Sequence, residues 1–188
     1  MKQLSMPVAL LLAVLTVAAH AQSIEQKAQI CAACHGAGGV PVQKSYPVIS
    51  GQQLGYLFVQ LRDFKFGARK NDVMTPIAQG LDQSDLLPLA TYFSKETWPD
   101  LQQPRAAADV AAQAQRVNTS VVCTSCHQQG FTGGGTQPRL AGQTRDYLAK
   151  TMTDFRTGAR ANNPTMTTFM KDISEADIAA LASYLAGL

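Results

Sequence analysis

The chain carries the pentapeptide Cys-x-x-Cys-His twice, as Cys31-Ala32-Ala33-Cys34-His35 and as Cys123-Thr124-Ser125-Cys126-His127. Two cysteines three positions apart share one helical turn. Their thiols can bond the two vinyl groups of a single haem, and the histidine that follows then points at the iron. The two copies use all four cysteines. Of three histidines, His20 falls in a leader-like segment, so the remaining two, His35 and His127, both sit in the motifs. None is left for a general base, a proton shuttle or a second axial ligand.

Rival cysteine chemistry fits less well. A structural zinc site commonly pairs two Cys-x-x-Cys units about 15–20 residues apart, whereas these lie 92 apart. A thioredoxin-like dithiol needs a βαβ setting, and no strand-rich unit is visible. The expectation is two haem c groups, attached through Cys31 and Cys34 and through Cys123 and Cys126. His35 and His127 are the expected proximal iron ligands.

Methionine is the natural sixth ligand once histidine is exhausted. Met74 is the one methionine between residues 22 and 104. The second half offers Met152, Met166 and Met170. Met152 falls on an apolar helix face and reads as core. Met166 follows Cys123 by 43 residues, as Met74 follows Cys31. It is therefore the expected ligand, with Met170 as runner-up.

These offsets reveal an internal duplication. Pro47-Val-Ile-Ser-Gly51-Gln52 parallels Pro138-Arg-Leu-Ala-Gly142-Gln143, and Tyr56-Leu57 parallels Tyr147-Leu148. Phe64-Lys-Phe-Gly67-Ala68-Arg69 parallels Phe155-Arg-Thr-Gly158-Ala159-Arg160. The prolines of Trp98-Pro-Asp-Leu-Gln-Gln-Pro104 oppose helix continuation and place the join near residue 104. Pro47 and Pro138 either shape their loops or offer a backbone carbonyl to the ring N–H of a ligating histidine. Arg69 and Arg160 suit a propionate, a hydrogen bond between domains, or a solvated surface.

The elements that must position these groups are helices. The first of each half leads into its motif, over roughly 23–34 and 107–126. The second carries Leu54, Leu57, Phe58, Leu61 and Phe64 on one face, answered by Leu148, Thr151, Met152 and Phe155. The last carries Leu86, Leu89, Ala90 and Phe93, answered by Ile178, Leu181, Ala182 and Leu185. Ser174 with Asp177 reads as a capping box, and Asp82 with Asp85 as a similar one. Starting the last helix of the first half at Asp85 keeps Pro88 in its first turn, where proline is tolerated. About eighty residues make a poor core unaided, so each half is expected to lean on its haem.

Residues 1–21 read as a secretory leader: Lys2, an apolar run from Val8 to Ala18, and Ala19-His20-Ala21 as a small-x-small cleavage site. A retained N-terminal anchor is the alternative. Charge is nearly balanced, with seven Lys/Arg against seven Asp/Glu over 22–104 and eight against six over 105–188. No basic run suggests nucleic acid.

On its two Cys-x-x-Cys-His motifs, Pro-x-x-x-Gly-Gln segments, Phe-x-x-Gly-x-Arg elements and downstream methionines, the chain resembles tandem class I cytochromes c, most closely the dihaem cytochrome c4 group. The resemblance spans residues 22–188. It implies an all-α fold of two tandem domains, 22–104 and 105–188, each with about three main helices and long loops around one covalent haem. It favours the carbonyl role for Pro47 and Pro138, and iron ligation by His35 with Met74 and by His127 with Met166. It implies a periplasmic carrier of single electrons without a substrate-open iron. The implied partners are a terminal oxidase, a quinol–cytochrome c reductase or a dehydrogenase, and some members of the group associate with membranes. One departure is visible: Met74 precedes Thr-Pro-Ile-Ala, but Met166 precedes Thr-Thr-Phe-Met. Two rivals stand beside the carrier. One is an electron-accepting subunit of a periplasmic dehydrogenase. The other is a dihaem enzyme such as a peroxidase, which the lack of a spare histidine opposes.

Overall fold

A computed structural model describes residues 22–188; the leader read at 1–21 lies outside them. The described residues fold into helices and loops, with a single isolated bridge between Gly134 and Gln137. The first half holds α1 (Ile24–His35), α2 (Leu54–Lys65), α3 (Met74–Gln79) and α4 (Leu86–Lys95). The second holds α5 (Ala108–Val121), α6 (Thr124–His127), α7 (Arg145–Thr157), α8 (Pro164–Met170) and α9 (Glu175–Ala186). In the first half α4 packs on α1 and α2, and α2 on α3; in the second α9 packs on α5 and α7, and α7 on α8.

Local chemistry explains where the helices start. Ser23 caps α1 in a full capping box, its hydroxyl accepting from the Gln26 N–H while the Gln26 side chain accepts from the Ser23 N–H. That satisfies two amides that a helix start otherwise leaves unpaired. The box expected at Ser174 is only half formed: the Ser174 hydroxyl accepts from the Asp177 N–H, but the Asp177 carboxylate accepts from that hydroxyl and from Gln113 instead. The box expected at Asp82 and Asp85 is absent. The Asp85 carboxylate instead accepts from Lys27, tying α4 to α1, and Pro88 sits in the first turn of α4.

Two further expectations change. Each half carries an additional short helix, α3 or α8, which holds Met74 or Met166, the methionine expected from the sequence as a sixth ligand. The single helix expected over 107–126 is broken at Val122, whose φ of 55° puts it in the left-handed region. A β-branched residue enters that region only under constraint, so α6 leaves α5 at a fixed corner with the second Cys-x-x-Cys-His motif at it.

The buried stripes match those read from sequence, apart from Leu54, which is 40% exposed, and Phe58, Leu61 and Thr151, which are half-buried. In the first half Ala28, Leu57, Leu89, Ala90 and Phe93 form one small cluster, and Cys31, Phe58 and Leu61 pack against it. The second half has a larger cluster built on Leu148, Met152, Phe155, Met170, Ile178, Leu181 and Leu185, with Cys123 and Met166 packed against it. The join is a strap lying on the second half. The Gln103 side chain donates to the Gln143 and Ala186 carbonyls at 2.9 and 3.2 Å. The Trp98 ring lies under the Arg139 guanidinium at 4.6 Å.

Candidate haem-binding sites

Each Cys-x-x-Cys-His motif ends on a buried imidazole held in one orientation. His35 closes α1, and its Nδ1 lies 2.8 Å from the Pro47 carbonyl oxygen. His127 closes α6, and its Nδ1 lies 3.0 Å from the Pro138 carbonyl oxygen. A carbonyl only accepts, so Nδ1 carries the proton and Nε2 keeps its lone pair. Burial lowers the affinity of both rings for a second proton, against the opposing pull of the proline carbonyls. Both imidazoles are therefore neutral, each with one nitrogen free to meet a metal.

None of the four cysteines is paired in a disulfide; Cys31, Cys34 and Cys123 are half-buried and Cys126 is exposed. Burial pushes the Cys31 and Cys123 thiols up, keeping them as S–H. With haem at hand, each S–H would add across a vinyl double bond, sulfur to one carbon and hydrogen to the other. Among the described residues no group of three His, Cys, Asp or Glu side chains converges as a metal cluster. The donor set present, paired thiols beside a neutral imidazole with its Nδ1 engaged, fits a covalently attached haem.

The methionines occupy matching places. The Met74 N–H donates to the Asn71 side chain at 2.9 Å, and the Met166 N–H donates to the Asn163 side chain at 3.2 Å. Met170 is buried in the core of the second half. The two turns that follow the histidines differ in one respect. Gly36 has φ +86°, and a Cβ there would collide with the Val40 backbone. Its counterpart Gln128 has φ 67° and ψ 164°, a conformation that is essentially glycine-only and costs a side-chain residue about 1–3 kcal/mol. Gln128→Gly is expected to raise stability by about 1 kcal/mol, read as a higher denaturant midpoint. A lower midpoint would show that the Gln128 side chain matters more than its backbone.

Arg69 and Arg160 turn out to be interface residues. Arg69 donates to Gln60 at 2.8 Å and to the Tyr147 hydroxyl at 3.3 Å; Arg160 donates to Gln60 at 2.8 Å and to the Tyr56 hydroxyl at 3.5 Å. Each guanidinium also covers the phenylalanine of its own repeat, Phe64 or Phe155, at 4.5 and 4.4 Å. Asn162 donates to the buried Asp63 carboxylate at 2.7 Å. Burial drives both phenols up, and the proximity of Tyr147 adds to the rise at Tyr56. At Tyr147 the Arg69 and Arg160 guanidiniums outweigh burial and bring the phenol down to about 7. The sequence flagged Tyr56, Tyr147 and the arginines as repeats, but nothing in it marked Gln60 or Asn162.

Comparison with known proteins places this geometry. The cytochrome c family model matches residues 111–188. The chain is similar to cytochrome c4 of Pseudomonas aeruginosa, with 35% identity over 87% of this chain and 86% of that protein. It is similar to the thiosulfate dehydrogenase electron acceptor of Thiomonas intermedia, with 33% identity over 85% of this chain and 79% of that protein. The crystal structure of reduced cytochrome c4 from Pseudomonas stutzeri superposes with a TM-score of 0.78 at 32% identity, covering 89% of this chain and all of that one. At these identities and coverages the chain belongs to the cytochrome c4 family, electron carriers rather than enzymes, with covalently bound haem c.

Proposed function

We propose that the protein is a dihaem carrier of single electrons, built from two units, 22–104 and 105–188. In the first, Cys31 and Cys34 bond the haem, and His35 and Met74 ligate its iron. In the second, Cys123, Cys126, His127 and Met166 do the same. The observation that carries this reading is the repeated contact of a buried histidine Nδ1 with a proline carbonyl, at 2.8 and 3.0 Å. The matching hydrogen bonds from the Met74 and Met166 N–H groups to an asparagine three residues earlier support Met166 over Met170.

Bound haem supplies a one-electron couple, and Met/His ligation sets it at the high potential suited to electron transfer. The chain's residues do the rest. The thioethers fix the macrocycle to α1 and α6. The Pro47 and Pro138 carbonyls hold each imidazole in one tautomer and raise its basicity. His35 with Met74, and His127 with Met166, would hold each iron from the chain itself, so that no substrate would need to bind there. Electrons then pass to and from partners through small, weak encounters. The leader-like composition of residues 1–21 supports a periplasmic location, and no described helix is long and apolar enough to cross a membrane.

Intact-mass measurement of mature protein from a haem-loading host tests this reading. Two covalent haems per chain are expected, and one or none would overturn it. The likeness to a protein named as a thiosulfate dehydrogenase electron acceptor favours a second reading, in which the carrier serves a periplasmic dehydrogenase rather than a terminal oxidase. Co-purification with a catalytic chain would favour that second reading; purification alone, with fast oxidation by an oxidase, would favour the first.

A further inference from the structure

The two glutamines of the repeated Gly-Gln pairs reach across the interface, and each grips a single residue of the opposite half. Gln143 accepts from the Val48 N–H at 2.8 Å and donates to the Val48 carbonyl at 2.9 Å. Gln52 accepts from the Arg139 N–H at 2.7 Å and donates to the Arg139 carbonyl at 3.0 Å. Both amides are almost wholly buried, at 3% exposure for Gln52 and 2% for Gln143. Their orientation is fixed further by an N–H from the next residue, Gln53 or Thr144, at 2.9 Å in each case.

The residues so gripped directly follow Pro47 and Pro138. The Pro47 carbonyl and the Val48 N–H therefore belong to one planar peptide group, as do the Pro138 carbonyl and the Arg139 N–H. His35 binds the oxygen end of the first group, and Gln143 binds its hydrogen end. His127 and Gln52 bind the two ends of the second. A peptide whose N–H is engaged has a more polarised carbonyl, because hydrogen bonds in a chain strengthen one another in a buried setting. The oxygen then pulls harder on the imidazole Nδ1–H, which makes the ring a stronger donor through Nε2.

We propose that Gln143 and Gln52 are positioning residues acting in trans: each orients and electronically tunes the histidine of the opposite half through one shared peptide. This rests on His35 and His127 being the iron ligands. The consequence is crossed coupling. A change in the second half alters the site in the first, and a change in the first alters the site in the second. Glutamines that merely bonded the halves together would give no such crossing, since a loosened interface would disturb both sites alike.

The test uses the haem-loaded full chain and follows both ring Nδ1–H protons by NMR, together with the two resolved redox steps. In Gln143→Leu, the His35 Nδ1–H is expected to exchange with water about tenfold faster, with His127 changed by less than about twofold. The redox step of the first half should move while the other stays. Gln52→Leu should give the reverse pattern. Gln143→Glu, studied at mildly acidic pH where the neutral carboxyl can both accept and donate, should restore the His35 exchange rate. It also serves if the leucine variant folds poorly. Equal effects on both histidines, effects on the cis histidine alone, or no effect would overturn the proposal and leave the ligand reading intact. Histidine rings lacking the shifts of iron ligation in the unmodified protein would instead overturn the ligand reading.

Discussion

Met74→Ala should convert one of the two redox steps to a much lower potential and leave the other in place. Axial ligands set haem potentials over a range of roughly 0.8 V, and loss of a methionine sulfur removes the ligand that holds the couple high. The affected site should also lose its low-spin His/Met absorption. Met74 opens α3, with its N–H held by Asn71, and the helix packs only on α2 among its extensive contacts. The truncation therefore leaves the core of the half in place. Unchanged potentials and spectra would remove Met74 from the ligand set. Met166→Ala should act on the other step. Silence there with a response from Met170→Ala would transfer the role four residues on.

The second large effect is on stability. Leu89 is fully buried at the centre of the small five-residue cluster of the first half. Leu89→Ala should cost about 3 kcal/mol, within the usual span for a buried leucine. That corresponds to a fall in Tm of about 6–12 °C for a chain of this size. Loss should show first in the half that holds Leu89, seen as early release of amide protection in α1 and α4. A drop below about 1 kcal/mol would mean the neighbours collapse into the space, so that the cluster is more plastic than its burial suggests.

Much of this protein can be read without coordinates, because its chemistry is spelled by rare residues at fixed spacing. Cysteine, histidine and methionine at repeated offsets mark the candidate sites, and the stripe on α4 from Leu86 to Phe93 is buried as its periodicity requires. What sequence reading missed has common physical causes. The break at Val122 depends on a left-handed residue whose identity gives no warning. The Asp85 carboxylate forgoes a cap because Lys27, 58 positions away, competes for it. The roles of Gln52, Gln143 and Gln60 are long-range as well: Gln52 and Gln143 grip the other half, Gln60 is shared between Arg69 of its own half and Arg160 of the other, and glutamine announces no partner by type. Recurrence of the Pro-x-x-x-Gly-Gln segment was the one available sign, and it named no partner. Ser23 and Gln26 form a box with the expected spacing that was legible and overlooked.

The strap has a practical corollary for anyone wishing to study the halves separately. Gln103 meets the backbone of the second half from three sides, through the Gln143 and Ala186 carbonyls and the Arg145 N–H. A fragment begun just after Pro104 would shed that anchor and uncover the Arg139 face that Trp98 shields. A fragment begun ahead of Trp98 would keep both. The natural cut for dissection thus lies upstream of the point where the repeats divide.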